Sequence, residues 1–269
     1  MIKKINFFFL AVLLLSIACT KTQVEEIPQP KINNLKDYLE LNASVQTKKI
    51  FAFGVSINTV GNPNKDFENN STIHFYNNKP FYNRNPTLEV VSCYETENID
   101  VDKNDFSQYK RKNLKYRNGG FFSYIDRPSD NSTEVWAIVT YKDNGALYMS
   151  DPIKIQPKNK PLHFLSNPNG VSVDFSNKFL PEFSWVDGTY KDSETFSQEI
   201  SDLTGTLLTS TVTNDKSLKY KNSNNLTYNF SKEVGWGELK LNKEYVIYVY
   251  GTDKDNWATM HIRTLFTLP

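Results

Sequence analysis

Residues 134–149 read EVWAIVTYKDNGALYM, and they give the clearest indication of the fold class. Its first nine residues are rich in the β-branched and aromatic side chains that favour strands, and a second β-prone run follows Asn144-Gly145. An Asn-Gly pair between two such runs predicts a two-residue hairpin, because that turn requires positive φ at both positions. Residues 134–142 and 146–149 are therefore predicted to be antiparallel strands.

The same alternation of short β-prone runs and turn residues extends in both directions from this hairpin. Runs before it lie at residues 50–57, 71–76, 87–95 and 120–126. Runs after it lie at residues 171–175, 181–185, 195–201, 207–212, 226–230, 244–250 and 261–268. Short strands at this spacing, with no βαβ alternation, predict an all-β chain built of two tandem β-sandwiches.

A polar, proline-containing segment separates the two halves. Residues 156–161 read QPKNKP, which is typical of a short, semi-rigid linker. The predicted domains are therefore a first β-sandwich at 49–157 and a second at 161–269.

The amino terminus has the organisation of an export signal. Lys3 and Lys4 precede an apolar run at 7–15, and Ala18 is a small residue directly before Cys19. A membrane-spanning helix needs roughly 20 apolar residues, so this run is too short to be one. We expect a signal peptide at 1–18, followed at 19–48 by the modified cysteine and a tether.

A cysteine directly after the cleavage point resembles the lipobox of bacterial lipoproteins. The resemblance implies a diacylglyceryl thioether on Cys19 and acylation of the new amino terminus. The sequence departs from the usual lipobox at Ser16, where leucine is common. The resemblance implies a chain held on a membrane through its N-terminal lipid.

The composition gives the chain as a whole no strong net charge. The 269 residues carry a formal charge of +1, which becomes −1 when Lys3 and Lys4 are removed with the signal peptide. Nucleic acid is therefore not expected as a partner. Charged residues at 23% and hydrophobic residues at 39% are typical of a folded domain.

Only two cysteines are present, and Cys19 is assigned to lipid. Cys93 then has no partner for an internal disulfide. It lies within the strand-like run 88–94, where a buried thiol behaves as a small hydrophobic residue. That reading is preferred to a reactive thiol or a disulfide between chains, both of which stay open.

No catalytic, cofactor or metal motif is found in the sequence. His74, His163 and His261 are far apart, and the sequence contains no H-E-x-x-H, G-x-S-x-G, P-loop or G-x-G-x-x-G pattern. We therefore expect no enzyme, no cofactor and no metal site. A pair of glycosidase carboxylates stays open, because the required separation is spatial.

Residues 100–105 resemble the start of a calcium-binding loop, with oxygen ligands at alternate positions. The sixth position is Asp105 where glycine is required, and the twelfth is Arg111 where glutamate is required. A polar turn is the preferred interpretation, and calcium binding stays open.

The pattern around two tryptophans resembles that of fibronectin type III and related immunoglobulin-like sandwiches. Trp185 lies on an early strand of the second half, and the alternating run 245–250 lies on a late one; Trp136 is the counterpart in the first half. The resemblance implies that both tryptophans fill the space between two sheets. Residues 94–107, 181–187 and 255–257 also resemble segments of uncharacterised lipoproteins of the Bacteroidota.

Two further tryptophans are the candidate ligand-binding residues. Trp257 follows a polar turn that contains Asp253 and Asp255, and Trp236 lies between two glycines. If both are exposed at one end of the second sandwich, they predict a platform for a glycan or a protein, with the two carboxylates at its edge. The alternative is that both tryptophans plug the ends of the sandwich.

The sequence thus predicts a lipid-anchored protein of the outer membrane, displayed at the cell surface, that binds a glycan or a surface protein without catalysis. Residues 22–26, Thr-Gln-Val-Glu-Glu, resemble the acidic signals that send lipoproteins to the surface. A periplasm-facing accessory subunit of an envelope complex is the first alternative. A carbohydrate-active enzyme is the second.

Overall fold

The helices and strands are described by a computed structural model for residues 32–56, 71–76, 89–118, 122–127, 133–156, 162–165, 170–188, 191–229 and 235–269. Helix α1 spans Leu35–Leu41, and a 3₁₀ helix spans Phe106–Gln108. The strands of the first half are β1 (Thr47–Ile50), β2 (Ala52–Ser56), β3 (Ser71–Tyr76), β4 (Glu89–Glu95), β5 (Lys110–Lys112), β6 (Lys115–Asn118), β7 (Phe122–Arg127), β8 (Val135–Asp143), β9 (Ala146–Ser150) and β10 (Ile153–Ile155).

The strands of the second half are β11 (His163–Leu165), β12 (Val171–Asp174), β13 (Glu182–Trp185), β14 (Thr195–Asp202), β15 (Leu207–Thr213), β16 (Ser217–Lys219), β17 (Leu226–Asn229), β18 (Glu244–Thr252) and β19 (Ala258–Thr267). The chain is all-β apart from the short helices, as predicted. Among the described residues, no helix has the length and hydropathy needed to cross a membrane.

The hairpin that gives the clearest indication of the fold class is confirmed. Strand β8 ends at Asp143 and β9 begins at Ala146, so two residues form the turn. Asn144 has φ 48° and Gly145 has φ 73°, the positive values that this turn requires. The hairpin places β8 in the middle of a sheet, since β8 also pairs with β4 and β10.

The first half is a sandwich of two sheets. One sheet has the order β1-β9-β8-β4-β5, with β10 also paired to β8, and the other has the order β2-β3-β7-β6. Alternate residues of β8, among them Val135, Ala137 and Val139, point into the core between the sheets. Because β5 and β6 are the last strands of their sheets, the sandwich has an open side between them.

The second half is a sandwich of the same kind. A six-stranded sheet has the order β11-β19-β18-β14-β15-β17, and a three-stranded sheet has the order β12-β13-β16. Trp185 belongs to the core between them and lies 5.6 Å from Phe196 between ring centroids, which confirms its predicted role. Within the described residues, each sheet takes its strands from one side of the predicted linker.

Trp136 corrects the prediction drawn from the resemblance. It is buried, but it alternates with the core residues Val135 and Ala137, so it lies on the outer face of its sheet. Its indole Nε1 donates to the carbonyl of Ile99, and the Lys103 ammonium lies 5.0 Å from its ring centroid. The segment after β4 therefore covers Trp136, and the space between the sheets is filled by other residues.

The two sandwiches pack directly on each other within the unit Asn33–Pro269. The outer face of the β2-β3-β7-β6 sheet contributes Phe53, Tyr76 and Phe122, which share a hydrophobic cluster with Val212 and Ala258 of the second half. The two faces also bond to each other through polar groups: the Tyr76 hydroxyl lies 2.5 Å from Ser197 Oγ and accepts from Ser210 Oγ at 3.0 Å. We call this contact the inter-sandwich face.

The signal peptide, Cys19 and residues 157–161 of the predicted linker lie outside the described residues. The lipid anchor and the two domain boundaries therefore stay predictions.

Candidate functional site: a cleft between two edge strands

Trp257 is fully buried, which corrects the expectation that it lies exposed at a loop edge. Its ring belongs to the core of the first sandwich, although the residue comes from the second half. Gly54 makes room for it: a Cβ at position 54 would lie 2.6 Å from Trp257 Cε3. The Gly54 amide donates to the carbonyl of Asn256 at 2.9 Å, so the turn before Trp257 is held against β2.

The two carboxylates predicted beside Trp257 organise this turn. Asp253 is buried, and its Oδ1 accepts from the amides of Asp255 and Trp257, both at 3.0 Å. Asp255 Oδ1 lies 3.8 Å from Lys103 Nζ, and its carbonyl accepts from the Lys154 amide at 2.9 Å. The structure therefore brings Asp253, Asp255 and Trp257 together as the element that joins the two sandwiches.

Trp236 lies apart from this group. It is half-buried against the core of the second sandwich, and its ring centroid is 5.3 Å from that of Tyr220 in an edge-to-face contact. The exposed platform of Trp257 and Trp236 is thus not formed. Ligand binding by these residues stays a prediction, but the two tryptophans do not have the exposed arrangement on which it was based.

Two of the histidines, His74 and His261, are packed against aromatic rings. His74 is buried in the inter-sandwich face, and burial lowers its pKa to about 3. His261 stacks on Tyr250 with ring centroids 4.1 Å apart, and burial lowers its pKa to about 4. The described residues contain no group of three or more His, Cys, Asp or Glu side chains that could hold a metal ion. At neutral pH both histidines are uncharged parts of a packed face.

The segment 100–105 is a polar turn. Asp102 Oδ1 accepts from the Asn104 amide at 2.9 Å, and Asp105 Oδ1 accepts from the Ser107 amide at 3.1 Å. These bonds use the carboxylates to hold the turn and to cap the 3₁₀ helix that follows.

Glu199 is the unusual acid of the inter-sandwich face. It precedes Ile200 on β14 and lies on the same strand face as Ser197, which bonds to the first sandwich. The residue keeps some exposure, but its Oε1 atom is buried and has no hydrogen-bond partner among the described residues. Burial raises the pKa of the carboxyl to about 8, so Glu199 is mostly protonated at neutral pH.

This raised pKa makes a testable prediction about stability. The folded state holds a proton that the unfolded chain releases above about pH 4.5, so the free energy of unfolding falls as pH rises from there to about pH 8. Glu199→Gln keeps the shape without the charge. We expect nearly equal stability of variant and wild type at pH 4, and a variant more stable by about 2–4 kcal/mol at pH 9. Chemical denaturation at both pH values measures it, and equal stabilities at pH 9 would contradict the assignment.

The structure also has a cleft that the sequence analysis missed. It lies on the open side of the first sandwich, between the edge strands β5 and β6, and its volume is about 440 Å³. That volume falls in the range of roughly 300–1,000 Å³ that small-molecule sites occupy. Its lining residues are Val91, Cys93, Arg111, Lys112, Asn113, Leu114, Tyr116 and Ile125.

The walls of the cleft are continuous with the core of the sandwich. Cys93 and Ile125 are buried core residues, and Val91, Leu114 and Tyr116 are half-buried and packed against them. Cys93 is a free thiol whose pKa is raised by burial, which confirms the predicted small hydrophobic residue. The cleft is therefore a place where the hydrophobic core opens towards the surface.

A strand irregularity borders the cleft. Val90 has φ 45°, a value that is rare for a β-branched residue, and the pairing of β4 with β8 shifts register between Glu89 and Ser92. The irregularity turns the Val90 side chain outward to 54% exposure and leaves its neighbour Val91 in the cleft wall. Backbone strain of this kind is concentrated at functional sites.

A basic run borders the cleft as its rim, and two of its cations, Arg111 and Lys112, are lining residues of the cleft. Residues 110–117 read KRKNLKYR and hold five cations in eight positions, all of them exposed. Two of them are paired, Lys110 with Glu97 and Arg117 with Asp126. In the described part of the chain, Arg111, Lys112 and Lys115 form no salt bridge. This run was the sequence signal for the site. It was overlooked because the near-zero net charge of the whole chain conceals a local cluster of cations.

Comparison with known proteins adds no family. No protein-family model matches the chain, and no curated relative matches it at a significant level. The chain is similar in structure to a chain of a cytokine receptor complex. The identity is 11%, the match covers 73% of this chain and 91% of that chain, and the TM-score is 0.27. It is also similar to the FN1–FN3 domains of chicken CNTN1, with 13% identity, coverage of 83% and 68%, and a TM-score of 0.28.

A third similar structure is the glycoside hydrolase domain of Endo-D from Streptococcus pneumoniae R6. The identity is 11%, the match covers 81% of this chain and 33% of that chain, and the TM-score is 0.32. These TM-scores carry no argument about family or activity. The β-sandwich architecture follows from the strands and sheets of this chain itself.

Proposed function

We propose that this protein is a lipid-anchored binding module of the outer membrane, displayed at the cell surface, and that the cleft between β5 and β6 is its ligand seat. The observation that supports the proposal is the juxtaposition of a partly open core, a bordering strand irregularity and an exposed basic rim. The fibronectin-like and Bacteroidota resemblances belong to the same proposal. A binding role without catalysis is the function that this arrangement supports best.

A cleft-blocking variant tests the ligand seat. Leu114→Trp places a large ring in the cleft wall, whereas Leu241→Trp adds the same ring at a site that is 47% exposed in the second half. The full chain in nanodiscs is screened against glycans, peptides and small anionic, neutral and cationic molecules. We expect at least one class to bind wild type and Leu241→Trp but not Leu114→Trp. A screen in which nothing distinguishes the two variants would reject the cleft as the ligand seat.

The lipid anchor has its own test. If Cys19 carries lipid, Cys19→Ser leaves an unprocessed precursor that takes up no labelled palmitate, because the thiol that accepts the lipid is missing. Cys93→Ser is the matched control and should label as wild type does. Equal labelling of Cys19→Ser and wild type would reject the anchor. Protease treatment of intact cells then distinguishes surface display from the periplasm-facing alternative.

A further inference from the structure

We propose that the ligand of the cleft is a small amphipathic anion: a free molecule with an aliphatic or aromatic group, which enters the cleft, and a carboxylate or phosphate, which meets the basic rim. The inference rests on the proposed function and names its ligand class. It also assigns Lys112 as the residue that pairs with the acid group.

The apolar half of the ligand is inferred from the walls. Val91, Leu114 and Tyr116 each bury one side against the core and leave the other side on the cleft. A ligand that covers these surfaces removes apolar area from water, which is favourable by about 25 cal/mol per Å². Tyr116 is held in place by two contacts. Its ring centroid lies 6.1 Å from that of Phe75, and its hydroxyl lies 3.3 Å from the Ser123 hydroxyl. The walls are thus preformed.

The acidic half of the ligand is inferred from the position of Lys112. Lys112 lies opposite Cys93 in the pairing of β4 with β5, so its side chain emerges on the inner face, above the floor of the cleft. Arg111 lies opposite Tyr94 and emerges on the other face. The Lys112 ammonium group is exposed and forms no salt bridge among the described residues. Because it lies next to apolar walls, it favours an anion that also carries an apolar group.

Acidic groups near the cleft do not neutralise this rim. Glu95 lies on the same face of β4 as Cys93, but both of its oxygens bond to Arg127 in the interior. Glu97 bonds to Lys110 and Asp126 bonds to Arg117. Among the described residues, Arg111, Lys112 and Lys115 of the basic run form no salt bridge. Lys115 alternates with the core-packed Tyr116 and emerges on the outer face, as Arg111 does, so Lys112 is the inner-face cation without a salt bridge. The local charge is therefore positive although the chain is nearly neutral.

The size of the site favours a small ligand over a polymer. Two of the lining residues, Asn113 and Leu114, connect β5 to β6 and so cross from one sheet to the other. A volume of about 440 Å³ accommodates one short acyl chain or one aromatic group.

The test compares matched pairs of probes with the full chain in nanodiscs of neutral lipid, and empty discs serve as the blank. The probes are octanoate with octylamine and 4-phenylbutyrate with 4-phenylbutylamine, and acetate is the anion that lacks an apolar group. Saturation-transfer NMR measures binding. We expect signals from the two carboxylates, weaker signals from the amines and none from acetate.

Two variants separate the pairing role of Lys112 from a general effect of charge. Lys112→Glu is expected to weaken carboxylate binding by about tenfold or more, because a favourable charge-assisted contact becomes repulsive. Lys243→Glu makes the same charge change at an exposed position of the second half and should bind as wild type does. Lys112→Met removes the charge and should give an intermediate affinity, and the melting temperature of each variant verifies folding.

The outcomes separate this inference from the proposed function. If amines bind as well as carboxylates, or if Lys112→Glu binds them unchanged, the anionic class is wrong. The ligand seat itself stands if another class is still displaced by Leu114→Trp. If octanoate binding is lost in discs that contain anionic lipid, a membrane lipid occupies the cleft. That result would reject the proposal that the ligand is a free small molecule. Binding that persists there supports it.

Discussion

Replacing Trp257 with alanine is expected to lower the free energy of unfolding of the described unit by about 3–5 kcal/mol. Trp257 is fully buried, and its ring fills the core of the first sandwich although its backbone belongs to the second. The loss therefore combines a cavity in one sandwich with a weakened connection to the other. Calorimetry should show one transition that moves to lower temperature as a whole.

Two controls make this result specific. Trp236→Ala removes a ring of the same size that is only half-buried in the second sandwich, so the loss of stability should be smaller. Gly54→Ala forces a Cβ to within 2.6 Å of the Trp257 ring, so it should also destabilise the chain. If Trp257→Ala leaves the melting temperature unchanged, the ring is exposed in solution and the packing described for it is wrong.

Replacing Arg127 with methionine is expected to cost a similar amount, about 3–5 kcal/mol. Arg127 on β7 and Glu95 on β4 are both almost fully buried, and Arg127 Nε donates to Glu95 Oε1 at 2.5 Å. A second guanidinium nitrogen donates to Ser71 Oγ at 3.1 Å, so one side chain ties β4, β7 and β3 together across the first sandwich. The variant leaves the Glu95 carboxylate buried without its partner.

The chain provides a matched control for this pair. Arg117 forms the same type of bidentate pair with Asp126, but the side chains are 56% and 35% exposed. Arg117→Met should cost less than about 1 kcal/mol, because water stabilises the carboxylate that is left. The double variant Arg127→Met, Glu95→Leu should recover most of the loss, since no charge is left buried. Equal losses for Arg127→Met and Arg117→Met in denaturant titrations would show that the buried position has no effect.

The two predictions concern different levels of the structure. Arg127 connects the two sheets of one sandwich, and Trp257 connects one sandwich to the other. Both act at contacts between residues that are distant in sequence, and neither contact has a local signature. The pair at Glu95 and Arg127 is separated by 32 residues, and Gly54 is even further from Trp257.

Local sequence patterns predicted most of the strands, the hairpin at Asn144-Gly145 and the all-β class, but not β5, β6, β11 and β16. Strand alternation and turn chemistry are set by residues within a few positions of each other, so they can be predicted without the rest of the chain. The buried thiol at Cys93 was also predicted, because it lies in a strand-like run. The core position of Trp185 was implied by the resemblance to fibronectin type III sandwiches.

Which faces meet depends on the packing of segments that are distant in sequence, so local patterns did not predict it. Trp136 alternates with core residues and lies outside its sheet, and the polar turn before Trp257 serves as an anchor into the other sandwich rather than as a surface. The cleft likewise depends on β5 and β6 ending two different sheets, although its basic rim was visible as five cations in eight residues. Local patterns specify that a face is apolar or charged, but the partner of that face is set by packing over the whole chain.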